Sequence, residues 1–165
     1  MKLEGRAALV PGAGSGIARA SAIRLAGHGA AVAVVAHDQD SADEVAGAIR
    51  EAGGVAHGFA VELDDAESVA ELYDQVRHHW ERLDIVVANA GINGVWAPLG
   101  DLTLSEWSHT LSVNLTGTFL TLSHALPLLR ADRLMGRATH RKGGRPPAVR
   151  QENKDHLGRN VMILK

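Results

Sequence analysis

The 165-residue chain contains no cysteine, so disulfide staples and thiolate-bound zinc are excluded from the outset. Aromatic residues are scarce at 4%, and the chain has a single tyrosine, Tyr73. None of the nine histidines has a partner at a recurrent metal-ligand spacing, because the adjacent pair His78 and His79 would point to different sides of a helix. No metal is expected. Long apolar runs are missing as well: no stretch approaches the roughly 18 residues that suggest a membrane helix. The start, Met1 to Arg6, lacks the apolar core of a signal peptide. A cytoplasmic protein with no membrane partner is the expectation.

What is present is an ordinary globular composition, 45% hydrophobic and 22% charged, with a net charge of −2. That small net charge conceals two halves of opposite sign. Residues 1–129 hold seven basic and sixteen acidic side chains, whereas 130–165 hold ten basic and three acidic. Two compositions therefore meet near Arg130. The second contains Gly143-Gly144 and Pro146-Pro147, and its only concentrated apolar run is Val161-Met162-Ile163-Leu164. Such a segment can bury little, so disorder is expected over about 132–158. It has no aromatic residue for base stacking and no recognition motif, so nucleic acid is not an expected partner.

The acidic part reads as alternating strands and helices. Ala7-Ala8-Leu9-Val10 is a short apolar run that ends in Pro11-Gly12-Ala13-Gly14-Ser15-Gly16, after which Ile17, Ala20, Ile23 and Leu25 recur at near-helical spacing. Ala31 to Val35 is apolar on consecutive residues, as a strand covered on both faces requires, and Ser41-Ala42-Asp43-Glu44 has the form of a capping box opening a helix to about Ala52. Val55 to Val61 reads as a third strand. The next helix places Val69, Leu72, Tyr73, Val76 and Trp80 on one face, and Leu83 to Ala88 is a fourth strand. A second capping box, Thr103 to Glu106, starts a long helix with Trp107, Leu111, Leu115 and Leu122, bent at Pro127. Trp80 and Trp107 take positions suited to core packing. Trp96, in the preceding loop, is placed to border a substrate pocket.

Four strand–helix alternations imply parallel strands with right-handed crossovers, a doubly wound α/β sheet of Rossmann type, incomplete after the fourth strand and its helix. Ligands of such sheets sit at the carboxyl ends of the strands. A glycine turn between strand and helix lets backbone approach a pyrophosphate, with the helix N-terminus directing free N–H groups at the anion. Gly12 to Gly16 stands where this is needed, and Asn89-Ala90-Gly91, ending the fourth strand, borders the same crevice.

With these landmarks in order, the chain resembles a short-chain dehydrogenase/reductase over about residues 3–130. In that family the first turn reads Thr-Gly-x-x-x-Gly-x-Gly, met here by Pro11-Gly12-Ala13-Gly14-Ser15-Gly16-Ile17-Ala18. Pro11 departs by removing a hydroxyl and a backbone donor, and Ala18 by replacing a glycine with another small residue. Ala88-Asn89-Ala90-Gly91 matches the family's Asn-Asn-Ala-Gly, and Glu62-Leu63 its acidic position near adenine. The resemblance implies NAD or NADP as cofactor, bound by Gly12, Ser15, Gly16, Ile17, His37, Asp38, Glu62, Leu63, Asn89, Ala90 and Gly91, and an alcohol or carbonyl substrate. For the ribose, Ala36-His37 resembles an NADP-type Ala-Arg pair, whereas Asp38 suits NAD or is a solvated loop acid. The choice stays open.

Asn114 matches the family's catalytic asparagine. The serine, tyrosine and lysine that act with it are absent: Tyr73 is followed four positions later by Arg77 and reads as core, and Lys142, Lys154 and Lys165 have no tyrosine partner. The resemblance stops at Arg130, where either a frameshifted or misjoined end or a genuine divergent tail begins. The expected organisation is a partial NAD(P)-binding domain over 1–130 and a basic tail over 131–165. A truncated, inactive oxidoreductase is the expected product, with a non-catalytic NAD(P)-binding module as the alternative. Self-association is expected because strand four, central in the family's sheet, would become an edge. A substitute strand from Val161-Met162-Ile163-Leu164 is the other outcome.

Overall fold

The computed structural model describes residues 3–129 and the backbone of 161–163. Five parallel strands form one sheet in the order β3-β2-β1-β4-β5, with β1 Ala7–Pro11, β2 Ala31–Ala36, β3 Val55–Ala60, β4 Ile85–Ala88 and β5 Val161–Ile163. Between them run α1 Gly16–Gly27, α2 Gln39–Glu51, α3 Ala66–His79, α4 Leu104–Leu111 and α5 Gly117–Leu129. The stretch 132–158, on which disorder was expected, lies outside the described residues.

The unbroken apolar runs of β1 and β2 follow from their coverage on both faces. Successive side chains point to opposite sides of the sheet. Leu9, Ala33, Val35 and Val86 therefore join the core beneath α3 and α5. Val10, Val32, Val34 and Val87 join the core beneath α1 and α2. At roughly 1.5–3 kcal/mol for each fully buried Val or Leu side chain, these two layers supply the main driving force for the fold.

Three expectations change. The face α1 turns to the sheet is Ala18, Ala22 and Ala26, while Ile17 and Ile23 are exposed, because small side chains let the helix lie close to the strands. The N-cap of α2 is Asp38, whose side chain accepts the Ser41 amide at 2.7 Å, so Ser41 lies inside the helix rather than capping it. Trp107 is half exposed and not a core residue; no residue of α4 is fully buried. The capping box at Thr103 and Glu106 forms as expected.

Of the two outcomes for strand four, the structure adopts the substitute strand: β5 pairs parallel to β4, with Val86 opposite Val161 and Ala88 opposite Ile163. The ladder of β4 is thus occupied on both sides, by β1 and β5.

The amino ends of β1 and β4 are tied by ions. Asp84, buried, accepts from Arg6 at 2.6 Å, from the Ala7 amide at 3.0 Å and from Arg82 Nε at 3.3 Å. On α3, the fully buried Tyr73 donates its hydroxyl to the Thr121 carbonyl at 2.6 Å and fastens α3 to α5.

Candidate active site

The carboxyl ends of the strands bring the sequence-predicted residues to one edge of the sheet. β1 ends in the turn Gly12 to Ser15. Its amide at Ala13 donates to the Val35 carbonyl of β2 at 2.8 Å, which holds the turn over the neighbouring strand. Gly12 has φ +78°, and a methyl there would lie 2.9 Å from the Cα of Ala90. No other residue type fits, because both the left-handed backbone and the contact with Asn89-Ala90-Gly91 demand a hydrogen in place of a side chain. The turn after β1 and the end of β4 are therefore in direct contact.

Gly16 opens α1 with φ +58°, and a methyl built on it meets nothing within 4 Å. The N-cap of α1, Ser15, makes no side-chain capping bond, and the first turn holds no acidic residue. Amides without a side-chain cap at the start of a twelve-residue helix, beside the open position at Gly16, have the donor set and dipole direction that a pyrophosphate requires. The residues present therefore fit a dinucleotide at this end. Ile17, just inside the helix, is exposed beside it.

At the end of β2, Ala36 and Ser41 stand against Gly14. His37 is exposed, its Nδ1 3.3 Å from Asp38 Oδ2, while Asp38 Oδ1 accepts the Ser41 amide. The hydrogen bond from that amide holds the Asp38 carboxyl below the usual carboxylate range. Asp38 is thus engaged as a helix cap, a role that sequence pattern had assigned to Ser41. At the end of β3, the Val61 amide donates to the Ala36 carbonyl, and exposed Glu62 donates its own amide to Ser68 Oγ at 3.2 Å. Leu63 packs against Gly117, where α5 begins.

Asn114 sits in Ser112–Thr116, a π-helical segment between α4 and α5. Its Oδ1 accepts the Ile92 amide at 2.7 Å, and its Nδ2 donates to the Ile92 carbonyl at 2.8 Å. The side chain thereby pairs with the backbone just beyond Asn89-Ala90-Gly91 as a strand would. Neither Ile92 nor the π segment had a signal in the sequence.

Trp96, expected at the rim of a substrate pocket, is 88% exposed in the loop beyond Ile92, near Val95 and Leu99, also exposed. Tyr73 lies under α5 in the core, and burial pushes its phenol pKa far up. Among the described residues no group of three or more histidine or acidic side chains is placed to hold a metal ion, and no helix is long and apolar enough to cross a membrane.

Comparison with known proteins agrees with the fold. A family model described as short chain dehydrogenase matches residues 6–139. Cis-4-hydroxycyclohexanecarboxylate dehydrogenase of Sinomonas cyclohexanicum is 43% identical over 121 residues, covering 73% of this chain and 48% of that protein. D-threitol dehydrogenase of Mycolicibacterium smegmatis is 40% identical over 119 residues, 72% of this chain and 45% of its own length. A crystal structure of a 3-ketoacyl-ACP reductase from Sinorhizobium meliloti 1021 superposes with a TM-score of 0.75 at 44% identity, over 76% of this chain and 49% of that one. A 7α-hydroxysteroid dehydrogenase complexed with NADH and 7-oxo glycochenodeoxycholic acid gives 0.74 at 27% identity, over 79% and 51%. The chain spans about half the length of these relatives.

Proposed function

The chain belongs to the short-chain dehydrogenase family, and from that premise we propose that it supplies the dinucleotide-binding half of an oxidoreductase that moves hydride between NAD or NADP and an alcohol or carbonyl compound. The observation that carries this reading is the contact of Gly12 with Ala90, beside the open, uncapped start of α1. The bound nicotinamide would supply or accept the hydride. The protein's part at this end would be to hold the cofactor: the α1 amides with Ser15, Gly16 and Ile17 would take the pyrophosphate, Glu62 and Leu63 the adenine, and Asn89 to Gly91 the ribose and nicotinamide. Because Asp38 is engaged by Ser41 and His37 stands exposed at the ribose corner, the reading favours NADP over NAD.

These 165 residues contain no tyrosine with a lysine four positions on. By itself the polypeptide therefore binds the dinucleotide with modest affinity and transfers no hydride. Asn114, the family's catalytic asparagine by resemblance, acts in this chain by clamping Ile92. The exposed apolar side chains Leu111, Leu115 and Phe119 support self-association.

Calorimetric titration of the full chain with NAD and with NADP tests the site, with Gly16→Val as the blocking variant. Binding that the valine abolishes is the expected result; equal binding by the variant removes the assignment. Turnover of a secondary alcohol that survives both Asn114→Ala and Tyr73→Phe would show the chemistry to be misassigned.

A further inference from the structure

Away from the candidate site, at the edge strand β3, two histidine rings stack on each other. His57 lies on β3 and His79 is the last residue of α3; their ring centroids are 3.8 Å apart with 29° between planes. Trp80, the C-cap of α3, meets His57 edge-on at 5.6 Å and His79 at 5.6 Å, and Phe59 meets His79 edge-on at 5.8 Å. As neutral rings, the pair prolongs the apolar stripe of Phe59, Val76 and Trp80 that binds α3 to the sheet.

The charged groups around the pair are unbalanced. From α2, Arg50 donates to the Ala56 carbonyl at 3.0 Å, next to His57. On α3, His78 adjoins His79 with its Nδ1 2.7 Å from the Asp74 carbonyl, and Asp74 is paired with Arg77. Glu81 follows Trp80 on the surface, and among the described residues no carboxylate is ion-paired with either stacked ring. A proton on His57 faces the charges of His79 and Arg50, while the Asp43 carboxylate of α2 stands against the neighbouring Gly58.

We propose that the His57–His79 stack is an acid-sensitive fastening that holds the last turn of α3 to edge strand β3 while His57 is neutral and releases it when His57 takes up a proton. Burial first, then the charges of His79 and Arg50, lower the His57 pKa below the ordinary histidine range. The sign follows: the fastening is complete above the ordinary histidine pKa and is lost as pH falls, because the opened form binds more protons. The device is independent of the dinucleotide reading, since none of its residues belongs to that site.

The test uses the full chain. Ring-proton NMR titration follows His57, and amide exchange at Trp80, whose N–H donates to the Val76 carbonyl at 2.9 Å, follows the last turn of α3. After correction for intrinsic rates, Trp80 protection should fall severalfold, with about tenfold the ceiling for a single histidine, between pH 7.5 and 5.5 while the amides of β1 keep theirs. In His79→Gln, an exposed substitution that leaves the core intact, the His57 titration should move upward and the Trp80 loss should shrink to less than about threefold. A His57 titration indifferent to His79→Gln overturns the proposal. So does equal Trp80 protection at the two pH values, or a loss shared equally by β1.

Discussion

Tyr73→Phe separates two roles that the chain's only tyrosine could play, structural clasp or proton donor. The hydroxyl donates to the Thr121 carbonyl at 2.6 Å, and the ring is fully buried beside His124, centroids 5.8 Å apart. Phenylalanine keeps the ring and its contacts, so no cavity opens and the loss is one buried neutral hydrogen bond, about 1 kcal/mol. A carbonyl has two lone pairs, which limits the penalty of leaving it one donor short. For a chain of this size such a loss lowers Tm by about 2–4 °C. Removing the whole ring, as in Tyr73→Ala, costs about 3–5 kcal/mol. Urea unfolding followed by far-UV circular dichroism measures both. In alkali, the buried phenol keeps its proton in the folded chain while the unfolded phenol ionises near pH 10. Tyrosine's contribution is therefore complete below about pH 10 and declines above it, a decline absent in Tyr73→Phe. A Tyr73→Phe loss above about 3 kcal/mol, or a folded-state phenol that ionises at the ordinary pH, would refute this account.

Asp84→Asn should cost about 2 kcal/mol, less than a fully buried pair because Arg6 is half exposed. Burial alone would raise the Asp84 pKa, but hydrogen bonds from Arg82, the Ala7 amide and Arg6 hold it below the carboxylate range. Its stabilisation is thus present above about pH 4 and lost as pH falls, so acid unfolding curves of wild type and Asn variant should converge below that point. Asn114→Ala should raise exchange at the Ile92 amide about tenfold by removing its acceptor; unchanged exchange would dismiss the clamp. Deleting residues 160–165 uncovers the β4 ladder, and light scattering should then show larger species than wild type at equal concentration; identical sizes would refute the edge argument.

The strands were legible in the sequence because a sheet covered on both faces demands consecutive apolar residues, which β1 and β2 show. The glycine turn and Asn89-Ala90-Gly91 were legible because close backbone approach tolerates few residue types. Large-residue periodicity misjudged α1, where the packing stripe is made of alanines. It also misjudged Trp107, whose helix has no fully buried residue. The form Ser-x-x-Glu suggested a cap at Ser41, but the turn geometry gave that role to Asp38, three residues earlier. The stack of His57 on His79 joins separate elements, and no local pattern could announce it.

The π-helical segment around Asn114 acts as a phase shift. Gly117 donates back to Ser112, one residue farther than in an α-helix, so α4 and α5 are not one continuous screw. Each residue of an α-helix turns the axis by about 100° and advances it about 1.5 Å. Shortening Ser112–Thr116 by one position would bring the two helices into register while α5 kept Thr121, Ala125 and Leu128 on the core. The rotation would then fall on α4 and on Asn114, swinging the amide away from Ile92. This corner of the molecule is accordingly far more sensitive to the number of residues than to their identity, and a single deletion there would do what few substitutions could.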